Sequence, residues 1–213
     1  MYLEPYTTPN AIEERSFAII EEQLGSKRPY TGLLWEVARR CIHTTGDLGI
    51  LDGLKLSEAG LTKGLKALEA GCTIYTDTRM VACGLTPKHF NALNCKIVAL
   101  MDLPGVAAYA ANNSCTRARA GIEMLGEKLS GQIVAIGNAP TALLALLDVL
   151  ELGLTPPALI IGMPVGFVNA SPAKKLLYNS SYTNFTLLGT RGGSPLAAAC
   201  VNALAEIVVR NKD

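Results

Sequence analysis

Excess charge of either sign is the first thing this 213-residue sequence lacks: Lys and Arg total 19 against 18 Asp and Glu, and charged residues make up only 17% of the chain. Without a basic or acidic surplus there is no electrostatic pull toward nucleic acid or an anionic membrane surface. A small molecule or another copy of the chain is the expected partner. Histidine is scarcer still, with two residues, His43 and His89. The six cysteines, at 41, 72, 83, 95, 115 and 200, form no C-x-x-C pair and stand in no zinc-finger spacing with the histidines. They read as small core hydrophobes of a reducing compartment, with no metal held by protein ligands. Long apolar runs are also missing. The most apolar segment, "TALLALLDVLELG" (141–153), is interrupted by Asp148 and is too short to span a bilayer. The start "MYLEPYTTPNAIEE" has neither a basic n-region nor an apolar h-region. A soluble cytoplasmic protein is expected. Neither G-x-x-x-x-G-K-[ST] nor G-x-G-x-x-G occurs, so a nucleotide-binding reading has little support. No linker or fixed-period repeat divides the chain, and residues 1–213 read as one domain.

What is present is a high apolar content, 49%, arranged as alternating strands and helices. Five short runs, "CTIYTD" (72–77), "CKIVALM" (95–101), "QIVAIG" (132–137), "ALIIGM" (158–163) and "NFTLLG" (184–189), are apolar on both faces, as strands of a helix-covered parallel sheet must be. Helical segments with legible ends lie between them at 56–71, 115–131 and 139–153. In "CGLTPKHF" a glycine in the left-handed conformation, a Thr86 cap and Pro87 in the first turn would punctuate two elements. The N-terminal third holds two amphipathic helices, "NAIEERSFAIIEEQL" and "GLLWEVARRCI", with no strand between them. The expected fold is α/β: a doubly wound, mainly parallel five-stranded sheet flanked by helices, with an N-terminal helical extension.

In such a sheet, ligands bind beyond the carboxyl ends of the strands. Three loops there, "GNAPTAL" (137–143), "GMPVGF" (162–167) and "GTRGGSPLAAA" (189–199), combine small turn residues with a helix start, which suits carboxylates or phosphates. Glycine and proline at a strand-to-helix turn also satisfy turn chemistry alone, and both readings stay open for any single loop. Asp77 in "DTRM" and the segment "MDLPG" (101–105) follow the other two strands. Arg117 and Arg119 open a helix at "SCTRARAG", with Ser114 as its expected cap.

The segment "RRCIHTTGD" (39–47) ends an amphipathic helix at a Thr-Thr-Gly turn. A histidine exchanges protons near neutrality without strong tuning, so His43 is a candidate proton carrier, ahead of Asp47, Asp77 and Asp102. A lone histidine at a helix end is more often a C-terminal cap or dipole partner than a catalyst, and residue chemistry alone leaves that reading ahead. Arg40, three residues earlier, shares its helical face, so the pair can address one ligand; Arg39, about 100° away, is expected to face solvent. No nucleophile motif such as G-x-S-x-G accompanies them.

Taken in order, "AIEERSFAII", "RRCIHTTGD", "DTRMVACGLT", "VAIGNAPTALLALLD", "IIGMPVGFVNA" and "GTRGGSPLAAACVNALA" resemble the precorrin-8X methylmutase family of cobalamin biosynthesis, which includes the cobalt-precorrin-8 methylmutases, over nearly the whole chain. The resemblance implies an isomerase that moves a methyl group from C11 to C12 of a tetrapyrrole macrocycle, giving hydrogenobyrinate or its cobalt counterpart, cobyrinate. It implies no cofactor, any cobalt being carried by the corrinoid substrate, and a homodimer with substrate buried near the subunit interface. His43 matches the family's proton donor and acceptor, and Ser16 and Arg40 match its substrate-contacting serine and arginine. Together with the loops, the expected substrate-binding set is Ser16, Arg40, Thr44, Asp77, Arg117, Gly137, Asn138, Gly162, Arg191, Gly192 and Gly193. Two departures stand out. "SPAKK" (171–175) replaces the family's frequent "ESK", and "GTRGGS" replaces "GRxGGS", leaving Arg191 one position from a commonly basic site. A tetrapyrrole-binding or transfer protein without catalysis would use the same loops.

Overall fold

The computed structural model describes residues 8–212, so the first seven of the opening residues read for a leader segment lie outside it. Two helices come first, α1 (Pro9–Leu24) and α2 (Gly32–Thr45). Helix α1 begins as its sequence requires: Thr8 accepts from the Ala11 N–H and Pro9 occupies the first turn. A short strand, β1 (Leu54–Lys55), and α3 (Glu58–Glu69) lead into β2 (Thr73–Thr76). Then come α4 (Arg79–Cys83), α5 (Pro87–Ala92), β3 (Lys96–Ala99), α6 (Val106–Asn112), α7 (Arg117–Leu125) and β4 (Ile133–Ile136). The chain finishes with α8 (Pro140–Glu151), β5 (Leu159–Gly162), α9 (Ala170–Asn179), β6 (Asn184–Leu187) and α10 (Ser194–Arg210).

The sheet has six strands in the order β1-β6-β5-β4-β2-β3. Five are parallel, and they are the five expected from sequence. The sixth, β1, is antiparallel to β6, with Leu54 opposite Leu187. Its two residues are too few to show a period of two. Counting only the parallel strands, the order is 2-1-3-4-5 read from the β3 edge, the flavodoxin-like doubly wound arrangement, and the winding reverses between β2 and β4.

Both sheet faces are covered. One core joins α1, α2, α3 and α10 to the sheet through residues such as Val37, Ile42, Leu68, Phe185 and Leu204; the other joins α7, α8 and α9 through Ile122, Leu146, Ile160 and Leu177. Close packing is built on missing side chains. A Cβ at Gly60 would lie 2.5 Å from the Phe185 ring, and one at Gly162 would lie 2.4 Å from Leu177 Cδ2. Cys41, Cys72 and Cys200 are buried in the core as expected, whereas Cys83 is exposed.

Some local punctuation differs from the sequence reading. Gly84 is not left-handed, with φ −77°. A Cβ there would meet Ala198 Cβ at 2.8 Å, so helix contact is what requires glycine. Thr86 makes no side-chain cap, although Pro87 does open α5. Thr116, not Ser114, caps α7 by accepting from the Arg119 N–H at 3.2 Å; Ser114 is instead turned to φ +50°.

Helix α2 runs antiparallel to α10 on the outer side of its layer: Glu36 pairs with Arg210, Arg40 with Glu206, and Cys41 Sγ lies 3.3 Å from Cys200 Sγ. Since α10 starts at the carboxyl end of β6, the carboxyl end of α2 reaches the same edge of the sheet. The fold therefore puts His43 beside the loops expected to hold a ligand.

Candidate active site

His43 lies in the last turn of α2, which ends at Gly46 in the left-handed conformation with φ +62°. The imidazole makes no capping bond to that turn, whose closing contacts come from Gly46 and the two threonines. Gly46 N–H donates to the Ile42 carbonyl at 2.8 Å, Thr44 Oγ1 donates to the Arg40 carbonyl at 2.8 Å, and Thr45 Oγ1 donates to those of Cys41 and Ile42 at 3.0 and 3.2 Å. Thr44, expected to bind substrate, has its hydroxyl proton committed to the helix. Among the described residues neither ring nitrogen of His43 has a hydrogen-bond partner, and the ring is held by an edge-on contact with Phe17, centroids 5.4 Å apart.

The imidazole opens into a cavity of about 380 Å³ between α1 and α2, lined by Ser16, Ile19, Ile20, Gln23, Ile42, Gly46 and Leu48. Its walls are mostly aliphatic. Ser16 lines it with its hydroxyl proton given to the Ile12 carbonyl at 2.8 Å, which leaves the oxygen lone pairs as acceptors.

Arg40 is placed differently from the sequence expectation. Its guanidinium binds the Glu13 carboxylate and reaches Glu206 at 2.8 Å, and it lines a second cavity of about 220 Å³ with Thr86, His89 and Asn202. The Phe17 ring packs against both side chains, 5.4 Å from the His43 ring and 4.9 Å from the Arg40 guanidinium. Arg40 and His43 share a helical face yet do not share a cavity. The cause is Glu13 on α1, whose carboxyl the Arg40 hydrogen bond holds below its ordinary range despite partial burial. Arg39 does not face open solvent either: it stacks 4.2 Å from the Phe17 centroid and pairs with Glu21 at 2.9 Å.

The strand-end loops also spend their donors internally. Asp77 is fully buried, and its carboxylate accepts from the N–H groups of Gly137, Asn138 and Ala139 at 3.1, 2.7 and 2.6 Å. Burial pushes this carboxyl upward while the three amides pull it back, with burial the larger effect. The anion at the β4 loop is thus the protein's own. Asp77 is shielded from solvent and spent on these amides, and Gly137 is tightly packed as well, since a Cβ there would lie 2.7 Å from Ser194 Cα. The Asn138 side chain remains exposed.

Gly162 is buried against Leu177 and serves packing. Gly192, at φ +157°, lies against the Met163 carbonyl, 2.2 Å from where its Cβ would be, and Gly193 N–H donates to that carbonyl at 2.9 Å. Arg191 does not offer a free cation: it binds the Asp47 carboxylate at 2.5 Å and the Gly49 carbonyl at 2.7 Å. Arg117, at the start of α7 on the opposite layer, is exposed and has no described partner.

Two contributors had no clear sequence signal. Phe17 positions the imidazole, and Lys174, expected only as part of a departure from the family pattern, is fully buried with its ammonium 2.5 Å from the Arg191 carbonyl. Among the described residues no cluster of three or more His, Cys, Asp or Glu is placed to hold a metal ion, and no helix is long and apolar enough to cross a membrane.

Comparison with known proteins gives a consistent result. A family model described as precorrin-8X methylmutase matches residues 11–207. The chain is 40% identical over 197 residues to a precorrin-8X methylmutase of Pseudomonas aeruginosa, covering 92% of this chain and 94% of that one. It is 36% identical over 201 residues to a cobalt-precorrin-8 methylmutase of Salmonella typhimurium, with coverage of 92% and 94%. The solved precorrin-8x methyl mutase of Thermus thermophilus superposes with a TM-score of 0.85 at 38% identity, over 94% of this chain and 98% of that one.

Proposed function

The chain belongs to the precorrin-8X methylmutase family, isomerases of cobalamin biosynthesis, and on that premise we propose that it moves a methyl group from C11 to C12 of precorrin-8X or cobalt-precorrin-8, with His43 as the proton donor and acceptor. The carbon–methyl bond at C11 breaks as the bond at C12 forms, and the proton His43 lends to the macrocycle returns to it. Substrate and product therefore have equal mass. The supporting observation is that His43 lines a largely aliphatic cavity while neither ring nitrogen is hydrogen-bonded among the described residues, the last turn of α2 being closed by Gly46 N–H instead. A ring not needed for capping, held edge-on by Phe17 and free of competing partners, is arranged for proton transfer to a ligand.

The cavity, about 380 Å³, lies toward the small end of the ~300–1,000 Å³ usual for ligand sites. It fits one edge of a macrocycle, and the rest of a corrinoid would lie outside it. Carboxylates on the ring would meet exposed groups such as Arg117 and Asn138 rather than the internally paired donors of the glycine loops. Val165, Phe167 and Val168 leave an apolar surface on the loop after β5, with Phe167 93% exposed. A homodimer that covers this loop would bury both the patch and the projecting part of the substrate. No resident cofactor enters this reaction; cobalt, when present, arrives in the ring.

The test is to mix purified protein with metal-free and with cobalt-loaded substrate and follow absorbance and mass. Conversion to an isomer of unchanged mass is the expected outcome, and the faster substrate identifies the physiological one. Binding of both without isomerisation would replace this reading with that of a carrier protein.

A further inference from the structure

Lys174 and Asp77 are the two fully buried charged side chains among the described residues. Neither forms a salt bridge. Each is spent on backbone groups of a loop at the carboxyl edge of the sheet: Asp77 on three N–H groups of the β4 loop, Lys174 on the carbonyl of Arg191. Lys174 is the more costly arrangement. An ammonium has three donors, one described acceptor is supplied, and no carboxylate compensates the charge. Burial alone pulls the amine down to about 8. If packing were the only requirement, an apolar side chain of similar length would serve better.

What the ammonium holds is a short span with contacts on two sides. Toward β5, Gly166 N–H donates to the Thr190 carbonyl at 3.0 Å and Gly193 N–H to that of Met163 at 2.9 Å. Toward α2, the Arg191 side chain reaches Asp47 and the Gly49 carbonyl, while Asp47 Oδ1 accepts from the Gly49 N–H at 2.7 Å. Gly46 and Leu48, on either side of Asp47, line the His43 cavity. A continuous path thus runs from Lys174, on the buried side of α9 in one layer, through Arg191 to the turn that follows His43 on the other.

We propose that Lys174 is a positioning residue: by fixing the Arg191 carbonyl it aims the Arg191 guanidinium at Asp47 and Gly49, and so holds the turn that forms one wall of the His43 cavity. This role rests on the reading of that cavity as the site of methyl migration. Lys174 touches no substrate; its effect passes through Arg191.

The test compares Lys174→Met, Arg191→Leu and the double variant with wild type, by amide hydrogen exchange without substrate and by turnover. Lys174→Met is expected to speed exchange at residues 46–50 and 189–193 about tenfold, and to lower kcat by a similar factor, with exchange in the sheet unchanged. Arg191→Leu, which alters a half-exposed side chain, is expected to give the same local pattern and serves if the buried replacement does not fold. The double variant should lose no more than the worse single one, as links of one chain do. Unchanged exchange at 46–50 in Lys174→Met or in Arg191→Leu overturns the proposal, as does an additive double variant. A wild-type protein that binds substrate without isomerising it overturns the catalytic reading and the positioning role with it, while the exchange data still show whether the clamp exists.

Discussion

The glycine loops at the carboxyl edge of the sheet and the α1–α2 corner beside them sit close together and treat their polar groups in opposite ways. In the loops, the groups that look ready for an anion are already used: Asp77 takes three amides, Met163 takes the Gly193 N–H, and Asp47 takes Arg191. In the corner, the helix closes on the Gly46 N–H and the threonine hydroxyls, and the imidazole it carries takes no hydrogen bond among the described residues. A loop rich in glycine and dipoles can be a ligand site or a self-sealed joint, and the difference lies in whether a buried partner from elsewhere in the chain fills it. Chemistry is best sought where a polar group is left without a structural task.

That contrast can be broken by experiment. If the β4 loop is a sealed joint, Asp77→Ala strands the buried amide of Gly137 and the partly buried amides of Asn138 and Ala139. At about 1–3 kcal/mol for each unsatisfied donor, the loss should reach about 3 kcal/mol or more, read by urea unfolding. A variant as stable as wild type but weaker in substrate binding would return Asp77 to the ligand.

Lys174 should leave a pH signature of intermediate size. Its folded value, about 8, lies below the ordinary 10.5, so between those values the unfolded chain holds more protons than the folded one. Stability therefore rises with pH across that window. The melting temperature of wild type should climb from pH 8 to 10 relative to Lys174→Met, and parallel curves would show that the amine is not buried as described.

The smallest effect belongs to Phe17. Phe17→Leu keeps an apolar side chain but removes the edge-on contact with His43 and the stacking of Arg39 and Arg40, worth about 0.5–1.5 kcal/mol. Turnover should fall more than stability, because the ring loses its orientation. An equal or larger loss in stability alone would make Phe17 a packing residue.

Much of the architecture was legible in the sequence. The five parallel strands announce themselves as short runs apolar on both faces, and "HTTGD" marks the end of α2 because Gly46 permits the left-handed turn. The sixth strand was not, since two residues carry no periodicity and β1 is fixed by its pairing with β6. Within the site, His43 and Ser16 meet in one cavity, consistent with the motifs that flagged them. The fates of Arg40, Arg191 and Asp77 could not be read locally. Their partners lie 27 and 166 residues away for Arg40, 144 for Arg191 and about 60 for Asp77, and a charge has no sequence pattern that names a partner so distant.

The proposed role requires His43 to be free for proton transfer, with no structural duty. Turnover and melting temperature of His43→Ala, measured on one preparation, test it most directly. A melting temperature close to wild type is expected, with a rate of isomer formation lower by about 10²–10⁴-fold. Conversion at the wild-type rate, or a loss of activity that tracks a loss of folding, would contradict it.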